Sequence, residues 1–218
     1  MKNILSLMIV ILGLFIPKYS KAQDTTITKF GSKQLIVGID VGVLAVAKLR
    51  AVPLTLRYAT SNRTVAVFSL GYADFRSDSV VKSGTNYKSA GFYISTGVDH
   101  IFTWNKGTKG IWCGGTSIIF SRTSESMNYT FKGNSFADYV GKVNRDMNII
   151  GLEARMGYLY AITTKIQLYT GFRCVFAEAN KDNFRSLPVR YIPGIGYNAL
   201  KNTNIIPTFE LKLYYKIF

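Results

Sequence analysis

From residue 148 to residue 161 the chain changes character at every step. Ile150, Leu152, Ala154, Met156 and Tyr158 alternate with Gly151, Glu153, Arg155 and Gly157. A period of two puts these sets on opposite faces of a β-strand, one suited to apolar surroundings and one carrying full charges. The same alternation closes the chain: Phe209, Leu211, Leu213, Tyr215 and Ile217 are apolar, while Glu210, Lys212 and Lys216 share the other face. Such an apolar face needs either a second sheet or lipid against it.

Eight segments carry the pattern: residues 34–44, 52–60, 64–75, 87–102, 111–122, 148–161, 166–177 and 207–218. The fifth is the least regular. Each has at least the ~9 residues that a strand needs to cross a bilayer. In hydrocarbon every backbone polar group must find a partner, so strands survive there only as a closed sheet. The links sort by length. Those at 61–63, 104–110 and 162–165 are tight, and those at 76–86, 121–147 and 178–206 are long and polar, with 45–51 breaking the rule. Tight turns at one end and long loops at the other describe an up-and-down barrel whose tight end faces the periplasm, and an even strand count returns both termini there.

The amino end reads as a secretory signal. Lys2 precedes an apolar run from Ile4 to Ile16, followed by Pro17 and the small-x-small sequence Ser20-Lys21-Ala22. The run is shorter than the ~20 residues of a spanning helix. The expected organisation is a cleaved signal peptide at 1–22, a lead-in at 23–32 and a barrel at 33–218. Loss of Lys2, Lys18 and Lys21 lowers the formal net charge of +15 but leaves the chain strongly basic. Basic excess points to nucleic acid or to an anionic membrane surface. The secretory route argues against nucleic acid and leaves phosphorylated lipopolysaccharide as the counter-charge. The 14 Tyr, 14 Phe and 19 Gly suit aromatic, glycine-rich barrel strands. The two cysteines, Cys113 and Cys174, fall on opposite faces, which argues against a bridge.

On these segments the chain resembles the small Gram-negative outer-membrane β-barrel proteins, a porin-like family whose members range from adhesion to structural proteins. The likeness covers residues 33–218 as a pattern. It implies an all-β fold, an eight-stranded antiparallel transmembrane barrel in the outer membrane, inserted by the barrel-assembly machinery. Arg190-Tyr191-Ile192-Pro193-Gly194-Ile195-Gly196 is similar to a motif of an uncharacterised family of secreted barrels, which brings no activity with it. The chain departs from the family's closing signal, whose last aromatic lies on the lipid face. Here alternation puts Phe218 in register with Lys216 and Lys212, so either the strand ends early or Tyr215 and Ile217 carry the signal.

The inward faces hold the chemistry: Asp40, Arg57, Asp99, Glu153, Arg155, Arg173, Glu210 and Lys212. An eight-stranded barrel is only wide enough for its own side chains. Charges inside it must pair, because an unpaired buried ion costs several kcal/mol. Four acids and four bases permit a polar core that closes the lumen; the alternative is a narrow pore for small solutes. His100 adjoins Asp99 as in a hydrolase, yet strand neighbours point to opposite faces, and Phe102 and Trp104 beside it mark an interface. A lipid-modifying enzyme therefore ranks behind both readings. Gly38-Ile39-Asp40-Val41-Gly42 lacks the frame of a phosphate-binding loop and reads as lumen-facing glycines around Asp40. Neither Cys113 nor Cys174 has metal-ligand spacing, and no cofactor is expected. The long loops mix aromatics with basic residues (Met127, Tyr129, Phe131, Phe136, Tyr139, Lys132, Lys142, Arg145 and Asp138; then Phe184, Tyr191, Tyr197, Lys181, Arg185 and Arg190). They suit a surface protein or glycan partner, or packing over the barrel mouth with lipopolysaccharide contacts.

Overall fold

The computed structural model describes residues 33–45, 49–77, 84–102, 110–131, 139–179, 191–197 and 205–218. The expected signal peptide and lead-in lie outside the described residues. Eight strands close into one antiparallel barrel: β1 (Leu35–Asp40), β2 (Leu49–Ala59), β3 (Thr64–Ser77), β4 (Gly84–Phe102), β5 (Gly110–Phe131), β6 (Tyr139–Ala161), β7 (Ile166–Ala179) and β10 (Ile205–Lys216). Neighbours in sequence are neighbours in the sheet, and β10 pairs with β7 on one side and β1 on the other. Between β7 and β10 lies a small separate hairpin, β8 (Tyr191–Ile192) and β9 (Gly196–Tyr197).

Burial follows the alternation of the sequence. In β6 every second residue from Ile149 to Leu159 is buried and the residues between them face out. The outward set keeps large apolar groups in the open: Ile150 is 66 % exposed, Leu152 52 % and Phe172 67 %. On β5 and β6 this outward run ends in register, with Phe120 opposite Ile150 and Arg122 opposite Asn148. Aromatic rings mark its tight-turn end, where Trp112 packs edge-on to Tyr158 at 5.4 Å and Phe102 lies opposite Trp112.

Four expectations are corrected. The first segment does not run to Leu44 as strand. Asp40 caps a single helical turn, α1 (Val41–Leu44), by accepting from the Val43 backbone N–H at 3.1 Å, so the chain leaves the sheet there and Gly42 is no strand residue. The 121–147 link is mostly strand, because β5 and β6 reach 22 and 23 residues and stay paired up to Phe131 and Tyr139. The fifth strand is regular. Outward residues of the upper half are polar (Arg122, Ser124, Ser126, Asn128, Lys142, Asn144, Asp146), so the contrast that announces a strand fades there while the pairing continues. The closing strand stops at Lys216, and Phe218 lies beyond it, exposed, with its carbonyl accepting from Leu35 N–H at 3.2 Å.

Glycines let strands β4 and β5 approach. A Cβ on inward Gly115 would sit 2.1 Å from the Val98 carbonyl oxygen and 2.3 Å from Asp99 Oδ1, and backbone cannot yield as a side chain does. Outward Gly114 would meet its nearest atoms at 3.2 and 3.3 Å. Gly115→Leu is expected to destabilise the barrel by ~1–3 kcal/mol or more, and Gly114→Ala by under ~1 kcal/mol. Urea midpoints of the folded protein in lipid check the order.

Candidate functional site

The interior is filled in layers. Nearest the tight turns, Ile36, Val65, Val67, Ile101, Leu159 and Tyr214 form an apolar floor with Cys113 and Tyr169. Above it lie the eight charges expected on the inward faces. Arg57 Nη2 donates to Asp99 Oδ2 at 2.9 Å, and Arg155 Nε donates to Asp99 Oδ1 at 2.7 Å. Arg155 also binds Glu153, and donates to Ser117 Oγ at 2.7 Å. Glu153 faces Arg173 at 3.5 Å, Arg173 faces Glu210 at 3.7 Å, and Lys212 holds Glu210 at 2.6 Å. Asp40 stands opposite Lys212 across β1 and β10 and ends the series. The order is therefore strictly alternating in sign: Arg57, Asp99, Arg155, Glu153, Arg173, Glu210, Lys212, Asp40. Four cations cancel four anions.

All eight are buried, Glu210 completely. At such a depth the attraction of neighbours works in a medium far less polar than water, and each charge depends on the next. Two aromatic faces join the ladder to the floor: the Arg57 guanidinium lies 5.1 Å from the Tyr214 ring centre, and Lys212 Nζ lies 5.9 Å from that of Tyr169.

The upper half holds a part that sequence reasoning placed over the mouth or at the surface. The β8–β9 hairpin folds back inside the barrel. Ile192 and Ile195 pack with Ile119, Met147, Ile149 and Val175, and are buried with Pro193. Polar walls hold its backbone: Ser89 Oγ donates to the Tyr191 carbonyl at 2.7 Å and Ser121 Oγ to the Pro193 carbonyl at 2.8 Å. The Tyr191 N–H donates to the Tyr87 hydroxyl at 3.4 Å, that hydroxyl donates to Glu125, and Glu125 pairs with Arg145. Tyr191 itself packs against Phe75 at 5.4 Å between ring centres. The turn needs glycine. Gly194 has φ +74°, and a Cβ there would lie 2.2 Å from the Tyr93 ring. The signals that could have found the plug are the paired Ile192 and Ile195 within a Pro-Gly turn, too apolar for an exposed loop.

The remaining candidates separate. Asp99 faces the lumen, while His100 is exposed on the outer face with its ring edge-on to Phe102 at 5.2 Å. Cys113 is buried and Cys174 half-buried, and both are free thiols. Gly38 faces inward beside the Tyr214 ring. Of the loop residues, Met127 is buried inside, Lys142 is exposed outside, and Tyr129, Phe131, Tyr139 and Arg145 belong to strands. Tyr197 belongs to β9, while Lys132, Phe136, Asp138, Lys181, Phe184, Arg185 and Arg190 lie outside the described residues. Among the described residues no three His, Cys, Asp or Glu side chains are grouped to hold a metal ion.

Two outcomes are expected. Asp99→Asn strands Arg57 and Arg155 together and costs ~3–5 kcal/mol; adding Arg57→Met recovers part of the loss, as a double-mutant cycle in urea measures. Next, in a background lacking Cys113 and Cys174, a thiol at Ile195→Cys is shielded from a bulky maleimide, and adding Gly194→Val exposes it. Labelling yields report whether the hairpin has left the barrel.

No protein-family model matches the chain, and no curated protein does. Among solved structures, the chain is similar to the N-terminal β-barrel domain of Pseudomonas aeruginosa OprF, with a TM-score of 0.39 and 12 % identity over 86 % of this chain and 99 % of that one.

Proposed function

We propose that the mature chain is a non-enzymatic outer-membrane β-barrel with a structural or surface-interaction role, its lumen closed by paired charges and a plug. The observation that carries the reading is its inverted polarity. The inside holds the eight-charge ladder and the Glu125–Arg145 pair, while large apolar side chains of neighbouring strands stand exposed on the outside, a patch that a soluble monomer rarely leaves in water. With a rise of about 3.3 Å per residue and a tilt of about 40°, the outward run from Ile150 to Tyr160 stands about 25 Å tall. That is the height of the apolar band on an outer-membrane barrel. Tyr58, Phe102, Trp112, Tyr158 and Tyr215 gird one border, and Tyr72, Phe92, Phe120 and Phe176 mark the other.

The tight-turn border then faces the periplasm. The upper parts of β5 and β6 rise past the band into water, which supports display: a polar ribbon of Arg122, Ser124, Asn128, Lys142 and Asn144 standing above the leaflet. Surface protein or glycan partners would meet this ribbon, a more rigid platform than the loops expected from sequence. Lipid and lipopolysaccharide surround the band, and the barrel-assembly machinery inserts it.

A narrow pore gains no specific support, since floor, ladder and plug lie in series along the axis. A lipid-modifying enzyme would need a base and an acid on one face, and Asp99 and His100 are on opposite faces.

The membrane reading predicts that the purified chain resists detergent and migrates faster on a gel before boiling than after it. Leu152→Arg, at mid-band, is expected to cost ~2–4 kcal/mol in a bilayer, against ~0–1 kcal/mol for Asn148→Arg at its border. A mature chain that stays compact in buffer without detergent would refute the reading. Planar-bilayer recordings should find no steady conductance.

A further inference from the structure

Just past the apolar band, the outer faces of β2 to β5 gather cations. On β2 the outward sequence Leu56, Leu54, Val52 ends at Arg50. On β3 the run Phe68, Leu70, Tyr72 ends at Asp74 and Arg76, on β4 the run Ile94, Phe92, Ala90 ends at Lys88, and on β5 Phe120 gives way to Arg122. The corresponding outward positions of β6 are Asn148, Asp146 and Asn144. Four neighbouring strands thus each bring a cation to the same border.

Three of these cations crowd one carboxylate. Arg76 clasps Asp74 through Nε at 3.2 Å and Nη2 at 2.9 Å, Arg50 stands directly opposite Asp74 across β2 and β3, and both Lys88 and Arg50 act on it electrostatically. Arg76 and Lys88 are themselves directly opposite across β3 and β4. Like charges in that position repel. Among the described residues, one acid stands against three cations here, a surplus of two positive charges. Directly below, Val52 pairs with Tyr72 and Tyr72 with Phe92, all three open to the outside.

We propose that this rim is a docking site for a phosphorylated lipid. Its phosphate sits among Arg50, Arg76 and Lys88, and its acyl chains run down the outer face over Val52, Tyr72 and Phe92. Charge complementarity chooses the headgroup: guanidinium forks and an ammonium match phosphate oxygens, and a bound phosphate removes the repulsion between Arg76 and Lys88. The apolar row immediately beneath chooses a lipid over a free anion. The inference rests on the membrane reading and gives it a specific lipid contact.

The test uses the mature chain in phosphatidylcholine nanodiscs with diphosphorylated lipid A as the probe, at ~0.1 M salt, where exposed charges are screened beyond ~10 Å. Arg50→Ser, Arg76→Ser and Lys88→Ser together are expected to weaken lipid A retention, read by native mass spectrometry, by about tenfold. A control of equal charge loss elsewhere, Lys33→Ser, Lys142→Ser and Lys165→Ser, is expected to change it less than ~twofold. Inorganic phosphate at the same concentration is expected not to displace the lipid, and Arg50→Lys with Arg76→Lys to keep most of the binding. All substitutions are on the exterior, and the heat-dependent gel shift verifies that each variant is folded. Equal loss in both triple variants, no loss in the rim variant, or displacement by phosphate alone would overturn the proposal. Failure of the unaltered chain to enter nanodiscs would instead overturn the membrane reading beneath it.

Discussion

Closure of the sheet between β1 and β10 is the constraint on which the structure depends. Five residue pairs, from Ile36 with Lys216 to Asp40 with Lys212, convert a row of strands into a ring. An open sheet would leave two edges of unpaired backbone, intolerable beside hydrocarbon and an invitation to aggregation in water. A ring of eight strands also fixes the width of the interior, leaving room for side chains and little else. What fills the barrel therefore follows from the closure: every inward residue must find its partner within that cylinder.

The charge ladder meets that demand in a way that serves the ring. Its members come from β1, β2, β4, β6, β7 and β10, and Ser117 of β5 joins through Arg155. Contacts such as Arg57 with Asp99 join strands that are not hydrogen-bonded to each other, across the lumen. The backbone ladder ties each strand to its neighbours, while Asp99 of β4 also ties the next strand but one on either side, β2 through Arg57 and β6 through Arg155. Strict alternation of sign matters because a like pair at this depth would have no water to screen it. Apolar packing above and below keeps water out, which strengthens each attraction and makes each member costly to lose.

How much of this could be read from residues depended on contrast. Where the outer face is apolar, period-two alternation is sharp, and the outward apolar portions of all eight strands were legible, Asn148 to Ala161 best of all. The eight lumen charges stood out for the same reason: Glu153 between Leu152 and Ala154 has only one reasonable direction to point. Above the band both faces become polar, so β5 beyond Arg122 and β6 before Asn148 looked like loop although they remain paired. The order of the ion pairs was illegible, because it depends on the register between strands and on contacts such as Arg57 with Asp99 that skip a strand. The plug was hidden differently. Its contacts with Ser89 and Ser121 span 102 and 72 residues, so although Ile192 and Ile195 are too apolar for an exposed loop, nothing local says against which strands they pack.

The two polar zones of the barrel obey opposite rules, and the difference identifies which of them has room for a partner. Inside, the eight ladder charges balance, and each stands beside one of opposite sign. Among the described residues at the outer rim of β2 to β4, three cations face one acid, and the surplus is placed where it costs least: at the surface, directly above apolar side chains. A sequence under no demand for an anion could relieve that repulsion with one more carboxylate, as Asp74 already does for Arg76. The positive charge of the described residues is thus not spread evenly. The ladder has none of the surplus, and part of it gathers at the rim where the proposed lipid would place its phosphate.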